Sequence, residues 1–144
     1  MLARMLILTT LFGFVLFPVM AEEKNANKDT PESVKGIETI SADQLAEMLI
    51  TTDDLIVIDA RIKKGRVKGY IDSSIHLPDV KTNCESLSNI ITDKNHKVVF
   101  YCSSSKCGRS LNAVTIAQTC NYKNLYWFRG GFKDWKNNGY PFVK

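Results

Sequence analysis

A cysteine stands where the sequence passes from an apolar run into a short polar loop. Cys102 follows the run Val-Val-Phe-Tyr at positions 98–101 and precedes a stretch of small and polar residues that ends at Arg109. This stretch is too small to build a core, and it leads into a predicted helix whose first N–H groups have no partner within the helix. The helix dipole, Lys106 and Arg109 all favour the thiolate over the thiol. Cys102 is therefore the first candidate for a nucleophile.

Apolar runs alternate with helix signals along the rest of the chain, which predicts an α/β fold with a mainly parallel central sheet and helices on both faces. Short continuous apolar runs indicate strands buried on both faces, and Ser41 with Gln44 forms a helix-starting capping box. Because sites in parallel sheets gather at the carboxyl ends of strands, Cys102 and Asp59 are expected at one edge. The strands are predicted at residues 55–58, 75–77, 98–101 and 125–128, and the helices after residue 41 and at residues 85–91, 109–120 and 132–137.

The first residues predict export. A basic start at Arg4 is followed by an apolar run to Met20 and by the small residue Ala21, which is typical of a cleaved secretory signal peptide. The run is shorter than the ~20 residues of a spanning helix, so an uncleaved anchor is the less favoured alternative. We expect a signal peptide at residues 1–21, a flexible spacer at 22–35, one folded domain at 36–144, and periplasmic localisation with membrane contact only through the signal segment.

Charge and cysteine content limit the classes of ligand and partner that the sequence predicts. The 144-residue chain has a formal net charge of +4, with its basic residues scattered, which suits small anions and gives no stripe for nucleic acid. An even number of cysteines in an exported chain indicates disulfides, but the sequence leaves all three pairings of the four cysteines open. No Cys-x-x-Cys pair is present and the two histidines lie in separate segments, so no metal and no other cofactor is expected. The cysteines are Cys84, Cys102, Cys107 and Cys120.

Five motifs, taken together, resemble those of a single rhodanese domain. They occur in order over roughly residues 37–143, and any one of them alone is weak. The motifs are Asp59-Ala60-Arg61, the segment Gly-Tyr-Ile-Asp-Ser-Ser-Ile-His-Leu-Pro at 69–78, the Tyr101-Cys102 loop closed by Arg109-Ser110, Phe-Arg-Gly-Gly-Phe-Lys-Asp-Trp at 128–135, and Gly139-Tyr140-Pro141.

The resemblance implies a sulfurtransferase. In that family the loop cysteine attacks the outer sulfur of an anionic donor such as thiosulfate, holds it as a persulfide and passes it to a thiol, a protein acceptor or cyanide. Backbone N–H groups of a curved loop suit the anionic persulfide and the leaving sulfite. The implied roles are nucleophile for Cys102, substrate-binding loop for Ser103, Ser104, Ser105, Lys106, Cys107, Gly108 and Arg109, and support of the site for Asp59, Arg61 and Ser110.

The sequence of the loop differs from the motif of the family it resembles. The common pattern is Cys-x-x-Gly-x-Arg, whereas Cys102 to Arg109 contains two more residues and a second cysteine. Arg109 is expected either to contact substrate or to close the loop through a carboxylate. Cys107 is near enough in sequence to form a disulfide with Cys102 or to resolve a persulfide, and equally it can pack as a small residue beneath the loop.

Three classes of function therefore follow from the sequence. The first is sulfur transfer through Cys102. The second is a thiol-disulfide redox protein that cycles a Cys102–Cys107 bond. The third is a non-catalytic module that binds a sulfur ligand or a protein partner, against which the intact cysteine argues.

Overall fold

The computed structural model describes residues 30–144, and within them a five-stranded, wholly parallel sheet organises the chain. The strand order is β1-β5-β4-β2-β3, with β2, β4 and β5 adjacent at the centre. The predicted α/β architecture is confirmed. The predicted signal peptide and residues 22–29 of the predicted spacer lie outside the described residues. The strands are β1 Glu38–Thr39, β2 Ile56–Asp59, β3 Ile75–His76, β4 Lys97–Tyr101 and β5 Asn124–Phe128.

The helices connect these strands, as parallel pairing requires. The capping box of Ser41 and Gln44 begins the first helix as predicted. The helix predicted at 85–91 ends earlier, at Ser88, because the chain then turns inward and buries Ile91 at 1% exposure. The helices are α1 Ala42–Thr51, α2 Lys63–Arg66, α3 Cys84–Ser88, α4 Arg109–Thr119 and α5 Gly131–Asn137, with a 3-10 turn at Asp79–Lys81.

Alternate residues of the central strands divide the core into two layers. Val98 and Phe100 of β4 pack on one face of the sheet with residues of α3 and α4, including Ala113. Val99 and Tyr101 of the same strand pack on the other face with residues of α1 and α5. Burial on both faces explains why the sequence of β4 is continuously apolar rather than alternating.

A disulfide ties the helices on one face together. Cys84 at the start of α3 is bonded to Cys120 at the end of α4, with their Cα atoms 5.4 Å apart. Among residues 30–144, no helix is long and apolar enough to cross a membrane.

Candidate active site

The loop formed by residues 102–108 joins β4 to α4 at the carboxyl edge of the sheet. Asp59 pairs in register with Tyr101, and Tyr101 pairs with Phe128, so the ends of β2, β4 and β5 lie side by side. Cys102 is the next residue after Tyr101 and is only 1% exposed. The structure thus places Cys102 and Asp59 at one edge of the sheet, where the sequence pattern places them.

Cys102 is joined to Cys107 across this loop. The two Cα atoms are 6.2 Å apart, within the range that a disulfide spans. The loop folds back because the Cys107 N–H donates to the Ser104 carbonyl oxygen at 2.9 Å. Cys102 is buried, whereas Cys107 is half-buried. Of the three pairings that the sequence leaves open, the structure contains Cys84–Cys120 and Cys102–Cys107.

The first turn of α5 supports the loop from below. The N–H of Phe132 donates to the Cys102 carbonyl oxygen at 2.8 Å, and the N–H of Lys133 donates to the Ser103 carbonyl oxygen at 2.9 Å. Gly131 has a φ of +65°, and a Cβ there would lie 2.5 Å from the Cys102 oxygen and 2.9 Å from the Ser104 nitrogen. Only glycine permits both this backbone conformation and this close approach.

The start of the described chain is hydrogen-bonded to the same loop. The Thr30 N–H and hydroxyl both donate to the Ser105 carbonyl oxygen, at 3.1 and 2.7 Å. The Arg129 guanidinium donates to the carbonyl oxygens of Thr30 and Pro31. The end of the predicted spacer is therefore attached to the domain by hydrogen bonds at these residues.

Arg109 closes the loop at its other end. Its Nη1 donates to Asp79 Oδ1 at 2.7 Å, a carboxylate contact of the kind expected to close the loop. The next residue, Ser110, is 1% exposed and accepts a hydrogen bond from the indole N–H of Trp127 at 3.0 Å. Gly108 is the N-cap of α4 and provides no side-chain cap, so the helix start adjoining the loop stays uncapped by a side chain.

A cleft of about 610 Å³ opens beside the loop. Ser104, Ser105 and Lys106 line it on the loop side, facing Arg129 and Lys133. Cys102 does not line it. Within residues 30–144, the N–H groups of Ser104, Ser105 and Lys106 donate to no protein atom. Three basic side chains and three unpartnered N–H groups make this cleft suitable for an anion, although Glu32 and Asp134 also contribute acidic side chains.

Behind the loop, Asp59 and Arg61 form a buried ion pair with distances of 2.8 Å from Nε to Oδ1 and 2.6 Å from Nη2 to Oδ2. Arg66 and the Tyr101 hydroxyl also donate to Asp59 Oδ2, at 2.9 and 2.8 Å. Burial raises the pKa of Asp59, but the hydrogen bonds and charge of Arg61 and the Tyr101 hydroxyl outweigh it and hold that pKa below its usual range. Burial and the Asp59 charge raise the pKa of Tyr101, which stays a neutral donor.

This network holds the segment before β3 rather than the reacting atoms. Arg61 also donates to the Gly69 carbonyl oxygen, and Arg66 donates to the hydroxyl and carbonyl oxygens of Ser74. Because Tyr101 immediately precedes Cys102, the network fixes the end of the strand that carries the cysteine. These contacts are compatible with the supporting role expected of Asp59 and Arg61 from the sequence, which stays a prediction.

Sequence reasoning did not assign roles to several residues that build the site. Asp79 and Arg66 each meet their partners only through the tertiary fold, and nothing in their local sequence marks them. Gly131 and Arg129 belong to a motif noted in the sequence, and the glycine pair was the available signal. Among residues 30–144, no group of three or more His, Cys, Asp or Glu side chains is placed to hold a metal.

Comparison with known proteins defines the class. The family model described as Rhodanese-like domain matches residues 41–138. The chain therefore belongs to the rhodanese-like domain family. A single domain of this family contains the sheet, the loop and the flanking helices.

Two relatives match more than half of the chain. An uncharacterised protein of Buchnera aphidicola is 34% identical over 95 residues, which cover 62% of this chain and 60% of that protein's length. A protein named Sulfurtransferase from Allochromatium vinosum is 28% identical over 107 residues, which cover 74% of this chain and 95% of that protein.

Solved structures show the same fold at lower identity. The crystal structure of a thiosulfate sulfurtransferase from Pseudomonas aeruginosa superposes with a TM-score of 0.64 at 15% identity, covering 74% of this chain and 20% of that one. At this identity the likeness shows the fold alone.

Proposed function

We propose that this protein is a sulfurtransferase in which the reduced Cys102 thiolate takes the sulfane sulfur of a small anionic donor as a persulfide. Family membership and the Allochromatium relative named Sulfurtransferase support sulfur transfer at the level of the family. The observation that carries the proposal for this chain is the position of Cys102 at the carboxyl end of β4, at the start of a loop that lines a cleft with three basic side chains and leads into an uncapped helix start.

The chemistry proceeds in two displacements. The Cys102 thiolate attacks the outer sulfur of a donor such as thiosulfate, the bond between the two donor sulfurs breaks, and sulfite leaves with that electron pair. A thiol, a protein acceptor or cyanide then attacks the outer sulfur of the persulfide and releases the Cys102 thiolate. Both the donor and the persulfide are anionic, so the unpartnered N–H groups of Ser104 to Lys106 and the cation of Lys106 stabilise them.

The disulfide form cannot carry out the first displacement. Cys102 is buried and its sulfur is already bonded to Cys107, so no thiolate is available to a donor. The active form in this proposal is therefore the one in which Cys102–Cys107 is reduced.

A burst of sulfite tests the proposal. Reduced protein freed of reductant and mixed anaerobically with excess thiosulfate should release about one sulfite per chain, because each nucleophile accepts one sulfur. Cys102→Ser should release none, while Cys107→Ser, which keeps the nucleophile, should retain the burst. A wild-type chain that releases no sulfite from thiosulfate and gains no sulfur from any other anionic sulfane donor contradicts the proposal.

The observed Cys102–Cys107 disulfide favours a second candidate, a thiol-disulfide redox protein without sulfur uptake. It predicts a reversible two-electron couple that is lost in Cys107→Ser, together with the absence of a sulfite burst. The same sulfite measurement therefore separates the two candidates.

We also propose that the chain is exported to the periplasm after cleavage at Ala21. The basic and apolar start of the sequence supports this, and so does the pairing of all four cysteines in two disulfides, which persist in oxidising compartments. N-terminal sequencing of the protein recovered from its native compartment tests it. A cytosolic protein that retains Met1 contradicts it.

A further inference from the structure

We infer that Cys107 resolves the Cys102 persulfide, which makes this protein a reductive sulfide-releasing enzyme as well as a carrier of sulfur. The inference rests on the proposed function, because it requires a persulfide on Cys102. It adds a second reacting residue and a product, hydrosulfide, that transfer to an acceptor does not generate.

The loop brings the two sulfur atoms together. The cysteines are five positions apart in sequence, and the turn closed by the Cys107 N–H and the Ser104 carbonyl oxygen returns the chain toward Cys102. The bond between Cys102 and Cys107 shows that the loop, with its α5 and Asp79 contacts in place, accommodates direct contact between the two sulfurs. A thiolate at Cys107 can therefore reach Cys102 Sγ without unfolding the domain.

No other thiol competes for this role within residues 30–144. Cys84 and Cys120 are bonded to each other, between α3 and α4. Cys120 is the C-cap of α4, at the end of that helix opposite the loop, and Cys84 begins α3. Cys107 is thus the single thiol of the described chain positioned to attack Cys102.

The step balances as an intramolecular thiol exchange. The Cys107 thiolate attacks Cys102 Sγ, a bond forms between the two cysteine sulfurs, and the bond from Cys102 Sγ to the outer sulfur breaks. The outer sulfur leaves with the electron pair and is protonated to hydrosulfide. The sulfane sulfur is reduced to sulfide, and the two cysteines are oxidised to the disulfide that the structure contains.

A dithiol reductant, or two equivalents of a small thiol, must restore the cysteines. The difference in burial indicates where it attacks: Cys107 is half-buried, while Cys102 is 1% exposed. Attack on Cys107 Sγ forms a mixed disulfide at Cys107 and releases the Cys102 thiolate, which is the nucleophile for the next donor. The second thiol then displaces the reductant from Cys107 as a disulfide. For thiosulfate, the cycle converts donor and dithiol into sulfite, hydrosulfide and the oxidised dithiol.

The test counts sulfide in a single turnover. Reduced protein freed of reductant is mixed anaerobically with thiosulfate, and sulfite, sulfide and the intact mass of the chain are measured together. The wild type should release about one sulfite and about one sulfide per chain and return to the mass of the disulfide form, since each persulfide is resolved once.

Two matched variants isolate the resolving thiol. In Cys107→Ser and Cys107→Ala the ratio of sulfide to sulfite released should fall at least about tenfold, and the chain should retain the added mass of one sulfur until an external thiol is supplied. Two substitutions of different polarity control for a local folding effect.

The outcomes separate this inference from the proposed function. A wild-type chain that releases sulfite but keeps the extra sulfur, on either loop cysteine, overturns the role of Cys107 and leaves sulfur transfer standing. Equal sulfide release from wild type and both Cys107 variants also overturns it. Absence of sulfite from every variant overturns the proposed function itself, and with it this inference.

Discussion

The two disulfides of this protein have the same covalent chemistry but lie in very different settings. Cys84–Cys120 closes a segment with a sequence separation of 36 between two helices on one face of the sheet. Cys102–Cys107 closes a separation of 5, inside the loop at the carboxyl edge of β4. Chain-entropy arguments assign roughly 4 kcal/mol to the longer closure and roughly 2 kcal/mol to the shorter one.

Their surroundings differ in what a broken bond would expose. Reduction of Cys84–Cys120 frees two thiols between the start of α3 and the end of α4. Reduction of Cys102–Cys107 frees a thiolate on the loop that carries the unpartnered N–H groups of Ser104 to Lys106 and leads into an uncapped helix start. Neither the number nor the spacing of the cysteines separates the two bonds into a structural and a reactive one, and the distinction proposed here rests on their positions relative to the sheet edge.

Substitution of the nucleophile should produce the largest difference between the two pairs. Cys102→Ser should lower sulfur transfer from thiosulfate by at least about a thousandfold, because a hydroxyl cannot form the persulfide. Cys84→Ser with Cys120→Ser should stay within a few-fold of wild type when assayed on folded protein. Steady-state assays with cyanide as acceptor and added reductant measure both. Equal losses in the two variants would erase the proposed distinction.

The free energy of unfolding should depend more on Cys84–Cys120 than on Cys102–Cys107. Removing Cys84 and Cys120 together should lower the free energy of unfolding by about 2 to 4 kcal/mol, because the unfolded chain regains the freedom of a long loop. Cys107→Ser, which removes only the short closure, should cost less. Urea unfolding under non-reducing conditions measures both, and a greater loss in Cys107→Ser would contradict the structural role given to Cys84–Cys120.

Two glycine substitutions distinguish the contact of α5 with the loop from the general cost of a left-handed backbone conformation. Gly131 and Gly139 both have positive φ, at +65° and +78°, but a Cβ at Gly131 meets the Cys102 carbonyl whereas one at Gly139 meets nothing within 4 Å. Gly139→Ala should cost about 1 to 2 kcal/mol from the left-handed backbone alone. Gly131→Ala should cost about 1 to 3 kcal/mol more, because the clash displaces the loop.

The activity of these glycine variants completes the comparison. Only Gly131→Ala should lower the rate of sulfite release on thiosulfate addition, since only it touches the reactive loop. Stopped-flow mixing at a temperature where both variants are folded measures this rate. A matching loss in Gly139→Ala would show that global destabilisation, not loop geometry, sets the rate.

Acid should weaken the support behind the loop by a smaller and graded amount. The pKa of Asp59 is lower in the folded chain than in the unfolded chain, where it is about 3.9. The stability from this carboxylate is therefore fully present above the unfolded pKa and is lost as the pH falls through the folded pKa. Each unit by which the pKa is lowered on folding corresponds to about 1.4 kcal/mol of stability. Urea unfolding measured from pH 6 down to roughly pH 3 follows the loss of that stability.

One substitution tests whether the hydrogen-bond network around Asp59 causes this loss of stability in acid. Tyr101→Phe removes the hydroxyl that donates to Asp59 Oδ2, so part of the depression of the Asp59 pKa should disappear. The acid loss between neutral pH and about pH 3 should then shrink. An unchanged slope in Tyr101→Phe would mean that other carboxylates govern acid unfolding.

The features of this protein that the sequence predicts depend on patterns among neighbouring residues. The apolar run before Cys102 identified β4, the capping box of Ser41 and Gln44 identified the start of α1, and the ordered motifs identified the family. Each of these signals lies within a few neighbouring residues. The position of Cys102 at the sheet edge followed because parallel strands bring their carboxyl ends together.

The remainder depends on contacts between distant residues. Asp79 lies thirty positions from Arg109, and nothing near it indicates that it closes the loop. Gly131 matters because α5 meets the loop backbone, which no local pattern states. The disulfide pairing also required the fold, because three pairings satisfy the sequence equally and only the tertiary structure selects one.

The position of the transferred sulfur tests the account most directly. Cys107→Ser, reduced and then treated with thiosulfate under anaerobic conditions, should gain the mass of one sulfur, and peptide mapping should place it on the peptide that contains Cys102. Cys102→Ser treated in the same way should gain none. A stable sulfur on Cys84 or Cys120, or no sulfur on the Cys102 peptide while the domain is folded and its thiols are reduced, would contradict the assignment of Cys102 as the sulfur carrier.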